Sequence, residues 1–125
     1  MKLYKYQFMY DDKKKTLVPI YIESFDFISE TPQYVKVIKN LEEKRLHKKY
    51  IGMALDVQDG EIHDTKTYLE TDWKNTTFLM FVLANNKTDA IQIAKSNFKD
   101  FLASIIKHLT IALNNVNEIA SNYDA

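Results

Sequence analysis

From Ile91 to Ala120 the chain repeats apolar residues at helical spacing, and no glycine or proline interrupts them. At about 100° per residue, the apolar set running from Ile91 through Phe98, Leu102, Leu109 and Val116 to Ala120 stays within an arc of roughly 140°. Asp100, Lys107, Asn114 and Glu118 fall on the other side. A stripe of that width is the core-facing side of an amphipathic helix. Thr88 offers a hydroxyl for the N-cap, and Asp89 suits the positive end of the helix dipole. One helix from Thr88 to Ser121 would run roughly 50 Å at 1.5 Å per residue. A compact domain of this size measures only about 36 Å across. Either the helix breaks near His108–Thr110 and folds back, or its end packs on another chain.

Before that segment the period is two. Tyr4, Tyr6, Phe8 and Tyr10 alternate with Lys5 and Gln7, as in a half-buried strand. Asp11–Lys15 is a polar break, and Leu17–Ile28 is a second extended run in which Pro19 belongs at the start or on an edge. Thr31-Pro32 turns the chain into a third run, Tyr34–Ile38, so the first three strands form an antiparallel meander. Asn40–Lys49 is the most charged stretch and fits a short helix or a long hairpin loop. Tyr50–Val57 reads as a strand, Asp59-Gly60 as a tight turn and His63–Glu70 as its partner. Beyond a bend at Trp73–Asn75, Thr76–Ala84 is apolar on both faces, the pattern of a central strand. The expectation is a single α+β domain over residues 1–125, an antiparallel sheet of about five or six strands followed by a long C-terminal helix or helix pair.

Composition narrows the chemistry. The 125 residues include no Cys, which excludes disulfides, thiolate metal sites and Cys nucleophiles. With only Gly52 and Gly60, neither a Walker A loop nor a dinucleotide fingerprint can be written. No serine lies in a Gly-x-Ser-x-Gly elbow. The acidic pairs Asp11-Asp12 and Glu42-Glu43 sit in polar turns among lysines, where solvated carboxylates make poor general acids. Glu61, His63 and Asp64 are the tightest acid–histidine cluster, a half-site with no second histidine pair to complete it. The chain is therefore read as non-enzymatic, with no cofactor and no metal. No apolar run approaches the ~20 residues of a membrane span, so a cytoplasmic protein without a membrane partner is expected.

Binding is the remaining class. Lys44, Arg45, Lys48 and Lys49, next to Tyr50, form the one concentrated basic segment. Arg45, Lys48 and Lys49 are candidates for holding phosphates, Trp73 for stacking, and Asn86 for contributing at the amide-rich helix start. The net charge of +0 argues against a general nucleic-acid binder, although segment 44–49 could serve a phosphate-bearing ligand.

In layout, the strand Tyr4-Lys5-Tyr6-Gln7-Phe8, the turn Glu30-Thr31-Pro32-Gln33-Tyr34, the basic segment entering Tyr50-Ile51-Gly52 and the C-terminal helical region resemble small accessory proteins of phages. The anti-Thoeris signal sponges are one such group. The resemblance implies a homo-oligomer that sequesters a nucleotide-like signal of bacterial defence without cleaving it; the overlong helix adds that the copies join through the C-terminal helix, and a host protein is the other target expected. Arg45 is the sole arginine, where pyrophosphate capture commonly uses several.

Overall fold

The computed structural model describes residues 1–58, 61–64 and 71–123. Among these residues seven strands form one antiparallel sheet: β1 (Lys2–Asp11), β2 (Thr16–Glu30), β3 (Tyr34–Lys39), β4 (Glu42–His47), β5 (Leu55–Gln58), β6 (Glu61–Asp64) and β7 (Phe78–Ala84). Their spatial order is β4-β3-β2-β1-β7-β5-β6, followed in the chain by one helix, α1 (Lys87–Asn122).

The opening meander forms as the alternation predicts. Asp11 closes the first hairpin by accepting from the N–H groups of Lys13 and Lys14 at 2.8 and 3.1 Å. Thr31 Oγ1 closes the second by accepting from Gln33 and Tyr34. Pro19 pairs with Phe8 of β1, and β3 joins β2 only from Asp26 onward, so Pro19 lies on a locally open edge. β7 lies between β1 and β5, and all its residues but Leu83 are buried.

The additional strand is β4. The charged stretch after Asn40 is neither helix nor long loop: Glu42–His47 pairs residue for residue with β3. Asn40 and Leu41, at φ 51° and 65°, make the two-residue turn between them. Two successive left-handed residues define a turn that asparagine-glycine normally signals, and leucine hides that signal. Tyr50–Val57 is also different, because strand geometry begins only at Leu55. Lys48–Tyr50 is a turn of 3₁₀ helix, and Ile51 bridges to Phe81. The hairpin β5–β6 closes Gln58 onto Glu61. Asp59-Gly60 and residues 65–70 lie outside the described residues.

The chain thus crosses from the end of β4 at His47 to β7 at Ile51, and that crossing forces the sheet to curl. Four interstrand steps separate β4 from β7, about 19 Å in a flat sheet at ~4.8 Å each. Four residues lead from His47 to Ile51, a reach of about 14 Å at most if fully extended. Bulges at Ile22 and Ile28, where the pairing registers slip, add local twist.

Curling creates two unequal cores. On the convex side Tyr4, Tyr6, Phe8, Phe78, Met80 and Val82 pack against Ala90, Ala94 and Phe98 of α1. Phe8 and Phe98 stack at 4.1 Å with ring planes 8° apart. On the concave side Leu3, Phe25, Val35, Val37, Leu55, Leu79 and Phe81 pack together, with Tyr50 and Ile51 of the crossing laid over them.

The helix neither breaks nor folds back. Its N-cap is Asn86 rather than Thr88: the Asn86 side chain accepts from the N–H of Asp89 at 2.8 Å. Ile105 is the last buried residue, and every residue from Thr110 to Tyr123 is exposed. No helix among the described residues is long and apolar enough to cross a membrane.

Candidate ligand-binding site

The concave face carries a cup of about 230 Å³ lined by Leu3, Phe25, Val37, Leu46 and Phe81, with Lys5, Glu23, Lys44 and Arg45 around it. Strand alternation builds it directly. Lys5 stands opposite Glu23 on one side and Phe81 on the other, and Leu3 opposite Phe25, so these side chains share a face. Val37 stands opposite Lys44, and Val35 opposite Leu46. The phenyl rings are nearly closed to solvent, Phe25 at 5% and Phe81 at 9% exposure.

Three ammonium groups lie over that aromatic floor. Lys5 Nζ is 6.0 Å from the centre of the Phe81 ring, and Lys44 Nζ and Lys39 Nζ are 5.5 and 5.9 Å from that of Phe25. These are distances at which the ring quadrupole still attracts a cation. Lys39 is also paired with Glu23 at 3.7 Å. Lys5 and Lys44 have no carboxylate partner among the described residues. The cup therefore has an apolar, aromatic base and a rim with surplus positive charge. Such a surface suits a flat ring with a negatively charged substituent.

The residues singled out from sequence are dispersed. Alternation along β4 sends the side chains of Lys44 and Leu46 to the cup, whereas Arg45 borders it in the strand but turns its guanidinium toward Tyr34 on the opposite face. Arg45 Cζ lies 4.4 Å from the centre of the Tyr34 ring, beside a shallow depression lined also by Glu30 and Lys36. Lys48 is paired with Glu30 at 2.8 Å, and Lys49 Nζ sits 4.9 Å over the ring of Tyr50. Trp73 stacks on Phe78 at 5.5 Å and leans on Phe101 at 6.3 Å, as part of the convex core. Asn86 is engaged in capping, since its Nδ2 also lies 3.2 Å from Asp89 Oδ2. Trp73 and Asn86 flank opposite ends of β7, a strand of about 23 Å, so they do not meet on one ligand.

His47 Nδ1 accepts from Lys49 N–H at 3.1 Å and caps the 3₁₀ turn. His108 is exposed on α1, with Nδ1 2.7 Å from the Ser104 carbonyl oxygen. The side chains of Glu61, His63 and Asp64 lie outside the described residues.

Sequence reasoning missed Lys5, Lys39 and Phe25, because it looked for a contiguous basic run. The available signal was the second face of β1, where Lys5 follows Leu3 at period two. No family model, curated protein or solved structure matches the chain.

Proposed function

We propose that this chain is a non-enzymatic binding protein that holds a small anionic aromatic ligand, of the nucleotide-like class, on the concave face of its sheet. The observation that carries this reading is the pair of uncompensated ammonium groups, Lys5 and Lys44, poised over Phe81 and Phe25. Ligand pockets begin at about 300 Å³, and the cup is smaller at about 230 Å³. It takes one ring into its base and leaves the anionic part at the rim, where Lys5 and Lys44 reach it.

The biological role proposed with it is that of a mobile-element protein, encoded by a phage, that sequesters such a signal of bacterial defence in the host cytoplasm. The layout of strands and helix is what supports that role. Binding of a host protein instead is the outcome if no small ligand is found. Segment 44–49 as a nucleic-acid or phosphate module is the weaker reading, because Lys44, Arg45 and Lys48 serve two faces and one ion pair rather than a single patch.

The test is thermal melting against cyclic nucleotides, AMP and ADP-ribose. A ligand that raises the melting temperature should be recovered chemically intact after heating, and K5Q with K44Q should weaken it at least tenfold. Arg45→Gln should have a smaller effect. No shift with any anionic aromatic compound, or equal affinity in the double variant, would remove the cup from consideration.

A further inference from the structure

The second half of α1 is an apolar stripe with none of the described residues packed against it. Ile106 is 65% exposed, Leu113 60%, Val116 60%, Ile119 67% and Tyr123 83%. Leu102, Ile105, Leu109, Ala112, Val116, Ile119 and Tyr123 recur at alternating steps of three and four, the 3.5-residue period of helices that pack on helices, and Ile106 and Leu113 widen the stripe beside them. We infer that this stripe is the seat of a second copy of the same chain, paired antiparallel about a two-fold axis near Ala112 and Leu113.

Three features select that occupant. The first is charge. From Leu109 to Tyr123 the helix carries one charged side chain, Glu118, so two copies meet without like-charge repulsion. The polar face there is Asn114, Asn115, Asn117 and Asn122, with none of the lysines or arginines that seat an interfacial helix on anionic lipid. The second is area. At on the order of 100 Å² per apolar side chain, scaled by these exposures, each copy offers roughly 350–450 Å². A pair then buries roughly 700–900 Å², the size of a weak, concentration-dependent contact rather than an obligate one.

The third feature is phase, and it fixes the direction. Ala90, Ala94, Phe98 and Ile105 are buried on the sheet side, and the exposed residues continue the same stripe. A partner helix must therefore lie where the sheet would be if the sheet were longer. In a parallel pair, the partner's first turns would run into this chain's own sheet. In an antiparallel pair only the partner's last turn reaches it, with Tyr123 of the second copy set beside Leu102. This surface is separate from the concave cup, so either can fail without the other.

Light scattering at 100 μM should give a dimer, and L113E with V116E should give a monomer with unchanged sheet circular dichroism. Both substitutions lie outside the buried core, so the domain remains folded. The chain has no native Cys, which allows a direct test of direction. An equimolar mixture of the I106C and I119C single variants should form an oxidised heterodimer, while I106C alone should not link to itself. A monomer at 100 μM, a species larger than a dimer, a dimer indifferent to the two glutamates, or preferential I106C self-linkage would each overturn the inference.

Discussion

Leu41 stands at the tip of the β3–β4 turn with φ 65° and 96% of its surface exposed. It therefore bears the strain of a left-handed backbone, about 1–2 kcal/mol for an L-residue, without burying its side chain in return. Leu41→Gly should raise stability by roughly 0.5–1 kcal/mol, read as a higher urea midpoint at unchanged slope. Gly52 makes the opposite case. Its φ is 75°, and an added Cβ would come 2.6 Å from Asn97 Nδ2. That amide donates to Gly52 O at 3.2 Å and ties the crossing to the helix. Gly52→Ala should destabilise by about 1–2 kcal/mol, because the strain and the broken bond act together. Tyr6 offers a pH handle. Burial first, then the neighbouring phenols of Tyr4 and Tyr21, raises its phenol above the ordinary 10.0. The folded state thus holds its proton where the unfolded chain has released it. That contribution is complete below pH 10 and is lost as pH rises through the folded value. Tyr6→Phe should flatten the alkaline fall in urea midpoint above pH 10 relative to the parent.

At the scale of elements, α1 is two helices in energetic terms. Its first half is held by Ala90, Ala94, Phe98 and Ile105 in the core, whereas among the described residues of one chain the second half has only its own hydrogen bonds. Isolated helices of such length are marginal in water. In the monomeric L113E and V116E variant, amides from Leu109 to Asn122 should exchange with solvent orders of magnitude faster than those from Ala90 to Ile105. Parity of the two sets would mean that the far half is held by something within the chain. Strand β4 shows why period alone misled. Glu42-Glu43-Lys44-Arg45 has no apolar alternation to read. It is a strand because β3 supplies a complete ladder and Lys36 meets Glu43 at 3.0 Å. That exposed pair contributes under about 1 kcal/mol, so the ladder, not the ion pair, makes the strand.

Across the whole molecule, the curl that follows from the short β4-to-β7 crossing couples everything else. It closes the concave core, presses Tyr50 and Ile51 onto it, and brings Lys44 on β4 and Lys5 on β1 to the same cup. A ligand held partly by those charges should bind less tightly as salt rises, since rim charges are screened within ~8 Å at physiological ionic strength. A thermal shift independent of salt between 50 and 500 mM would mean that the lysines take no part in binding.

The elements with a strong internal period were legible from the amino acids alone: the aromatic alternation of β1, the doubly apolar β7, and the uninterrupted stripe of α1. Each is set by local spacing and by the bare need to bury one face or two. What the linear order did not contain was which residues meet. Lys5, Phe25, Lys44 and Phe81 are far apart in the chain, and each taken alone is an ordinary strand residue. Only the curl of the sheet places them around one hollow. Likewise the stripe on α1 announced that it would be covered, but the finite length of the sheet decided where that cover ends. Burial is a property of neighbours in space, and a chain's sequence states its neighbours only along one dimension.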